Sequence, residues 1–314
     1  SYIFVIFLGI PVVYLYNLLS GIIRSLGDSK SPLVFLVISS LLNIGLDLLF
    51  ILVFHMGIPG AAWATVISQG ISGILCLVYM KYRYEILKFS RDEWRMDKAC
   101  MWKLCGMGIP MGLQYSITAI GSVILQTSVN GIGSDAVASI TAGTKISMFM
   151  VCPVDAIGTT MTTYGGQNVG AKKLDRIGVG VRDANILGAI YSVIAFLILY
   201  FASRPLLLLF LKPTETVIIA QARQFLLVNS ACYFLLVLLE VFRFLIQGMG
   251  YSLFAVFAGV AEMIARIVMG IFIVPRFGFD GACFASPLAW VFACAFLIPA
   301  YYYVLKRLRK VLKV

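Results

Sequence analysis

Charged residues are scarce in this chain of 314 residues. Only 12% of them are charged and 61% are hydrophobic, whereas a soluble domain carries about a quarter charged residues. The mean hydropathy is +0.97, and apolar runs recur near the ~20 residues that a helix needs to cross a bilayer. The runs at 33–54 and 186–202 are nearly continuous, unlike the alternating strands of a membrane barrel. We therefore predict an all-α polytopic membrane protein.

Residues that build metal centres and catalytic sites are also sparse. The chain has one histidine, His55, and its seven cysteines form no C-x-x-C pair. This excludes a His-rich metal centre and a Ser/His/Asp hydrolase. A membrane-embedded enzyme would need a nucleophile beside a base, or paired free carboxylates, and neither spacing occurs. We predict that the protein is not an enzyme and has no cofactor.

Basic residues lie mostly on one side of the predicted spans. The connections at 24–30, 81–103, 169–183 and 247–252, with the tail from 306, hold 18 of the 25 Lys and Arg residues. Lys and Arg are retained in the cytoplasm, so this side and the C-terminus are predicted to be cytoplasmic. The net charge of +11 then requires no nucleic-acid partner. The nine predicted spans are 2–23, 32–54, 59–80, 105–131, 136–168, 184–203, 218–246, 253–274 and 281–304.

Two short motifs recur at a nearly constant distance along the chain. GIPGAAWAT at 57–65 is repeated as GFDGACFAS at 278–286, and RSLGDS at 24–29 has a weaker copy, QGMGYS, at 247–252. An isolated Gly/Ala motif more often marks close helix packing. Two motifs at matching separations of 221 and 223 residues instead predict two related helical bundles, as in many secondary transporters.

Several segments carry a resemblance to the multidrug and toxic compound extrusion (MATE) family. They are LSGIIRSLGDSKSP at 19–32, the pair Asn43 and Asp47, the motif at 57–65, GMGIP at 106–110 and GQNVGA at 166–171. The resemblance implies twelve spans in two six-helix lobes, of which these nine are the fourth to the twelfth, with three helices before Ser1. It divides the chain into a partial N-terminal lobe (1–80), a cytoplasmic inter-lobe loop (81–104), a C-terminal lobe (105–304) and a basic cytoplasmic tail (305–314).

Four acids lie inside predicted spans, where each charge costs roughly 3 kcal/mol on insertion scales. They are Asp47, Asp155, Glu240 and Glu262. Glu240 precedes Arg243 by three residues, and Glu262 precedes Arg266 by four, so each can form a pair on its own helix. Asp155 has no basic residue within reach on its own helix. Asp155 is therefore hydrated, protonated or paired with a residue of another span.

Asp47 has no basic residue within its span, and Asn43 lies one turn before it. Thr65 lies at a similar depth in the next, antiparallel span. Carboxylate, amide and hydroxyl oxygens suit Na⁺, and a desolvated carboxylate can carry a proton. From spacing alone, a hydrogen-bonded cluster that locks two helices is equally compatible. The resemblance is to the DNA-damage-inducible F branch in particular, and it implies a coupling-cation site at Asn43, Asp47 and Thr65 with a further Asp upstream of Ser1.

The resemblance implies an antiporter, coupled to H⁺ or Na⁺, that exports amphipathic organic cations from the cell across the plasma membrane by alternating access. Other branches use acids of the second lobe, which makes Asp155 and Glu240 secondary coupling candidates. We expect a monomer in the lipid bilayer. A flippase for lipid-linked sugars remains an alternative, but it would need unpaired basic groups, and only Lys145 lacks a nearby acid. Candidate cavity residues, each equally compatible with a core or lipid-facing role, are Tyr14, Asn17, Gln114, Tyr115, Met148, Met150, Tyr233 and Phe234.

Overall fold

The computed structural model describes residues 2–87 and 97–312, and in these ranges it contains helices and no strands. Two five-residue π-helical segments, Leu49–Val53 and Met269–Ile273, interrupt the α-helices, and a short 3₁₀ segment, Glu85–Leu87, follows the third helix. The α-helices of the described residues are α1 (Tyr2–Ser25), α2 (Lys30–Leu48), α3 (Ile58–Arg83), α4 (Lys98–Asn130), α5 (Ser134–Gly170), α6 (Asp175–Leu207), α7 (Thr216–Ala231), α8 (Tyr233–Gly248), α9 (Ser252–Val268), α10 (Val274–Cys283) and α11 (Ala285–Leu312).

Most of these elements are long and apolar enough to cross a bilayer. Among the described residues eight segments meet this condition, and α7 and α8, which meet at a 52° bend, make a ninth when counted as one span. The break falls at Cys232, inside the predicted seventh span. The prediction of an all-α polytopic protein with nine spans is thereby confirmed, with that span bent.

Several helices extend well beyond the predicted apolar runs. α6 begins at Asp175 rather than near 184, and α4 begins at Lys98 rather than near 105. Residues 305–312 of the predicted tail continue α11. Hydropathy detects only the part of a helix that lies in hydrocarbon, whereas polar turns continue the same hydrogen-bonded helix into the headgroup region. Residues 88–96 of the predicted inter-lobe loop, and 313–314 of the tail, lie outside the described residues.

Contacts divide the chain into two compact units, 1–96 and 97–314. In the first unit, α1 packs closely against α3 through glycines. A Cβ atom on Gly9 would collide with Val66 of α3, and one on Gly73 would lie 3.7 Å from the Leu15 side chain. Because side chains are absent at these points, the two helix backbones can approach each other.

The packing of α2 against α3 is fixed by two serines. The Ser39 hydroxyl donates to the Ser68 carbonyl oxygen (2.8 Å), and the Ser72 hydroxyl donates to the Phe35 carbonyl oxygen (3.3 Å). Both bonds cross between antiparallel helices. They set the relative depth of residues on α2 and α3, including those of the predicted cation site.

The second unit contains α4–α11 around a large apolar core. Fully buried side chains in this core include Leu199, Val237, Leu245 and Leu297. Glycines again allow close approach, since a Cβ on Gly248 of α8 would collide with the Thr162 backbone of α5. The core packs tightly enough to hold polar side chains in fixed positions near it.

The two units share the same backbone irregularities. Gly57 has φ 61° and ψ −142°, and Gly278 has φ 58° and ψ −134°. Gly27 and Gly250 have φ values of 93° and 89°. Each π-helical segment lies a few residues before its member of the first glycine pair. The motifs that recur in the sequence therefore have matching local conformations.

Candidate functional site

Asn43 and Asp47 lie one turn apart on α2, and both are partly buried. The Asp47 Oδ1 and Asn43 Nδ2 atoms are shielded from solvent and have no hydrogen-bond partner among the described residues. Within residues 2–87 Asp47 has no salt bridge. A buried polar atom without a partner costs about 1–3 kcal/mol, and more for a charged group. Asp47 Oδ1 can therefore take a proton, a cation or a hydrogen-bond donor, whereas Asn43 Nδ2 can donate to an acceptor.

Thr65 lies on α3, the helix that packs against α2. With the register of the two serine contacts continued along the helices, Thr65 lies near the level of Asn43, and Asp47 lies about one turn nearer the start of α3. Side chains lean toward the N-terminus of their own helix. Because α2 and α3 are antiparallel, the Asp47 and Thr65 side chains lean toward each other in depth.

The Thr65 hydroxyl donates to the Ala61 carbonyl oxygen at 3.0 Å. Its proton is thus engaged, and its oxygen lone pairs remain free to accept or to bind a cation. One turn further along α3, the Gln69 Oε1 atom is also shielded from solvent and has no partner among the described residues. Sequence reasoning missed Gln69, although the spacing Thr65-x3-Gln69 mirrors Asn43-x3-Asp47.

A second group of ionisable residues lies in the second unit. Arg243 of α8 donates to Glu240 of the same helix at 3.3 Å and to Glu262 of α9. Arg266 of α9 donates to Glu262 at 3.3 Å and to the Thr118 carbonyl oxygen of α4 at 3.1 Å. Both predicted pairs are present, and Arg243 connects them. The four side chains carry no net charge together when all are ionised.

Amides extend this network toward α4. The Gln247 side chain donates to Gln114 Oε1 at 3.2 Å, and both residues are buried. Gln114 is only 2% exposed, so it belongs to the packed interior of the second unit. Polar contacts thus join α4 to both α8 and α9.

Asp155 on α5 is an acid of the second unit that lies outside this salt-bridge network. Its side chain is exposed, and it has no salt bridge among residues 97–312. It is close enough to Glu240 and to the phenol of Tyr115 to interact electrostatically with both. Of the two secondary coupling candidates, Glu240 is therefore paired with Arg243, and Asp155 has no salt bridge among the described residues.

The predicted cavity residues lie in different environments. Tyr14, Tyr115 and Met148 are exposed, and Asn17 is exposed with its amide bonded to the Val13 carbonyl oxygen. Phe234 lines a cleft of about 340 Å³ that also involves Ser192, Phe196 and Ser230. Tyr233 is 1% exposed, and Met150 packs partly buried against the same core. Tyr233, Gln114 and Met150 therefore contribute to the interior, and the others are exposed or line a cleft.

The two helical units share the same backbone irregularities at their repeated motifs. Together with an intramembrane acid that has no partner among the described residues, and with a buried charge network, they are typical of the polytopic helical membrane transporters. Residues 110–272 match the MatE family model, which is more than half of the chain, and the chain belongs to the MatE family. The predicted resemblance to this family is confirmed. Membership in a family of transporters likewise confirms that the protein is not an enzyme.

The curated relatives include two proteins of Bacillus subtilis (strain 168). "Probable multidrug resistance protein YpnP" is 36% identical over 180 residues, covering 56% of this chain and 39% of the relative. "Probable multidrug resistance protein YoeA" is 29% identical over 227 residues, covering 70% of this chain and 49% of the relative. The chain therefore spans about half the length, or less, of these relatives.

The fold is also similar to solved structures. An outward-facing multidrug resistance MATE family transporter of the MOP superfamily aligns with a TM-score of 0.91 at 19% identity, covering 98% of this chain and 69% of that one. A MATE structure in the bent conformation aligns with a TM-score of 0.88 at 18% identity, covering all of this chain and 70% of that one. At these identities the likeness concerns the fold.

Proposed function

We propose that this chain forms part of a cation-coupled antiporter that exports small amphipathic organic compounds, including drugs, from the cell. The observation that carries the proposal is the shielded Asp47 carboxylate, whose Oδ1 atom has no partner among the described residues, with a similarly unpartnered amide nitrogen of Asn43 one turn before it. The names of the relatives YpnP and YoeA support multidrug resistance as the substrate class. The proposal includes the DNA-damage-inducible F type of coupling, a plasma-membrane location, a cytoplasmic C-terminus and a monomeric protein.

In the proposed cycle, Asp47 exchanges H⁺ or Na⁺ as the helices rearrange. An ionised Asp47 without a partner is unfavourable in this setting. Binding of the small cation relieves that cost and favours one arrangement, while the exported compound favours the other. Coupling requires this difference in affinity between the two states. Asn43 and Thr65 supply neutral oxygens, which can stabilise Na⁺ directly or accept a hydrogen bond when Asp47 is protonated.

The outer part of α2 has features that allow a rearrangement near Asp47. The π-helical segment Leu49–Val53 begins two residues after it, and such segments often occur at functional sites. A Cβ atom at Gly45 would meet nothing within 4 Å. Moving one backbone turn between π and α geometry would therefore change the position of the Asp47 carboxylate without disturbing a packed neighbour at Gly45.

The ion gradient supplies enough free energy to drive export. Exchange of one monovalent organic cation for one H⁺ moves no net charge, so only the ion gradient drives it. One pH unit then supplies about 1.4 kcal/mol, which supports roughly a tenfold gradient of the compound. A neutral compound would also gain about 2.3 kcal/mol per 100 mV of membrane potential.

The flippase alternative receives less support from the described residues. A lipid-linked pyrophosphate would require unpaired cations in the binding region. Within 97–312 both Arg243 and Arg266 are bound to carboxylates. Lys145 is exposed and lies 5.5 Å from the centre of the Phe210 ring. Neither of these two arginines is therefore free to bind a pyrophosphate.

Drug accumulation in cells that express the full-length protein tests the proposal. We expect Asp47→Asn to abolish export while the protein is still inserted and folded. Asp135→Asn, which changes an exposed acid at the start of α5, is the matched control and should export normally. Export at the wild-type rate by Asp47→Asn, combined with loss of export by Asp155→Asn, would transfer the coupling role to the second unit.

A further inference from the structure

The backbone of the turn between α1 and α2 fixes the position of Asp28. Gly27 has φ 93° and its amide donates to the Arg24 carbonyl oxygen at 3.0 Å, while the Asp28 amide donates to the Ile23 carbonyl oxygen at 3.3 Å. This is a Schellman motif, which ends a helix and fixes the residue after the glycine. Asp28 is therefore held in a defined position at the end of α1.

The two oxygens of Asp28 bind different partners. Oδ1 accepts hydrogen bonds from the amides of Lys30 (3.1 Å) and Ser31 (3.0 Å), at the start of α2. Oδ2 accepts from the hydroxyls of Ser31 (2.7 Å), Tyr79 (3.0 Å) and Tyr84 (3.1 Å). One oxygen thus caps α2, and the other holds the last turn of α3 and the residue that follows it.

This contact lies at the surface rather than in the core of the unit. Asp28, Tyr79 and Tyr84 line an open cleft of about 560 Å³ together with Lys30 and Arg83. A contact beside an open cleft can break without creating a buried cavity. The bonds to Asp28 Oδ2 can therefore be removed while the packing of α1, α2 and α3 is retained.

The second unit repeats the turn with different side chains. Gly250 has φ 89°, its amide donates to the Gln247 carbonyl oxygen at 2.9 Å, and the Tyr251 amide donates to the Ile246 carbonyl oxygen at 3.1 Å. The Tyr251 ring lies 5.6 Å from the guanidinium of Arg307, which is a cation–π contact.

Both contacts join residues that are 56 positions apart. In each unit the residue after the turn glycine thus holds the C-terminal end of a later helix, α3 in the first unit and α11 in the second. In the first unit the contact joins a carboxylate to two phenols, and in the second it joins a phenol to a guanidinium. The position of the contact is repeated although its chemistry is not.

We propose that Asp28, Tyr79 and Tyr84 form a clasp that fixes the point where the connection to the second unit leaves the first, and that transport requires this anchor. Tyr84 directly follows the last residue of α3 and precedes Glu85–Leu87. The part of the proposal that concerns transport rests on the proposed function. The structural part does not.

The physical consequence concerns the C-terminal end of α3. With the clasp formed, the hydroxyls of Tyr79 and Tyr84 hold the last turn of α3 and the start of Glu85–Leu87 against the first unit. Without it, this end of the helix frays, as helix ends without partners do. The chain then leaves the first unit from a less constrained point, so a rearrangement of α3 is passed on along the chain less directly.

Asp28→Asn isolates the clasp. The Asn side-chain oxygen can still accept from the Lys30 and Ser31 amides and cap α2. Its NH₂ group can only donate, so the bonds from the Tyr79 and Tyr84 hydroxyls to a charged acceptor are lost, and only weaker, neutral bonds to the phenol oxygens can replace them. Amide hydrogen exchange of the full-length protein in lipid nanodiscs is the first measurement. We expect residues 81–87 to exchange at least tenfold faster in Asp28→Asn and in Tyr84→Phe. Tyr82→Phe, which changes an 82% exposed tyrosine of the same turn, is the control and should exchange like the wild type.

Export rates of the same variants give the second measurement. We expect Asp28→Asn to lower the maximal rate several-fold with little change in the half-saturating drug concentration. Unchanged exchange at 81–87 would overturn the clasp itself. Faster exchange with a wild-type export rate would overturn its role in transport. Neither result would affect the coupling role of Asp47, because Asp47→Asn tests that role independently.

Discussion

The guanidinium of Arg243 on α8 donates to the carboxylate of Glu262 on α9, and this bond joins two helix-local pairs into one buried network. Arg243 is the only described partner of Glu240 in the network, whereas Glu262 also has Arg266. Removing Arg243 would therefore leave Glu240 as a buried, uncompensated acid. The opposite substitution, at Glu240, would leave Arg243 with one acid.

Arg243→Met should destabilise the protein strongly. Removing one member of a buried ion pair typically costs about 3–5 kcal/mol, because the remaining charge is left unpaired. Thermal unfolding of the purified full-length protein in detergent is the measurement. Adding Glu240→Gln to Arg243→Met should recover much of the loss, since the unpaired acid is then neutral.

The exposed pair Arg182–Asp183 provides the control for this prediction. Its side chains are 70% and 53% exposed, and pairs of this kind contribute about 0–1 kcal/mol. Arg182→Met should therefore leave the melting temperature nearly unchanged. An equal effect of Arg182→Met and Arg243→Met, or a double variant no better than Arg243→Met alone, would contradict the network.

The neutral oxygens of the first unit should tune cation affinity without abolishing coupling. Thr65→Val removes an accepting oxygen of α3, and Asn43→Leu removes the amide one turn before Asp47. A neutral ligand of this kind is worth about 0.5–1.5 kcal/mol. Each variant should therefore raise the half-saturating concentration of the coupling cation roughly three- to tenfold in export assays with purified protein in liposomes.

Ser40→Ala tests whether this effect is specific to the site. The Ser40 hydroxyl is exposed on α2 and donates to the Leu36 carbonyl oxygen within the same helix. We expect its removal to leave cation dependence unchanged. If Asn43→Leu behaves like Ser40→Ala, Asn43 is not a ligand, and the site consists of Asp47 and Thr65 alone.

The sequence predicted the spans and the acids within them, because long apolar runs and intramembrane charges are local signals. It also predicted that Asp47 lacks a basic partner on its own helix. It did not predict the bond between Arg243 and Glu262, since pairing across helices depends on which faces meet. Gln69 was missed for the same reason, because an amide is informative only once its burial and lack of partners are known.

Substituting alanine for each of two helical glycines should change the melting temperature in opposite directions. A Cβ on Gly248 would collide with the Thr162 backbone, whereas one on Gly178 would meet nothing within 4 Å. Overpacking typically costs about 1–3 kcal/mol, and a backbone cannot move aside as a side chain can. Alanine in an open helical position instead stabilises by about 0.4–1 kcal/mol. Gly248→Ala should lower the melting temperature and Gly178→Ala should raise it slightly. Equal shifts in the two variants would contradict the close packing of α5 and α8.

The clasp at Asp28 should be insensitive to pH across the physiological range. Hydrogen bonds from the Ser31 side chain and amide, with those from Tyr79 and Tyr84, lower the pKa of Asp28 from 3.8 to about 2. A lowered carboxyl pKa contributes stability that is fully present above about pH 4 and is lost as the pH falls toward 2. Burial and the bond to Asp28 together raise the pKa of Tyr84, so its phenol also stays protonated at neutral pH.

Hydrogen exchange at 81–87, corrected for the intrinsic pH dependence of amide exchange, checks this prediction. Protection should be constant between pH 5 and 8 in the wild type and should fall only in strong acid. Asp28→Asn should show low protection at every pH in that range, because an amide cannot regain the lost acceptor on ionisation. A wild-type transition near pH 6 would show that another group controls the end of α3, and the ionised Asp28 carboxylate would then not be its anchor.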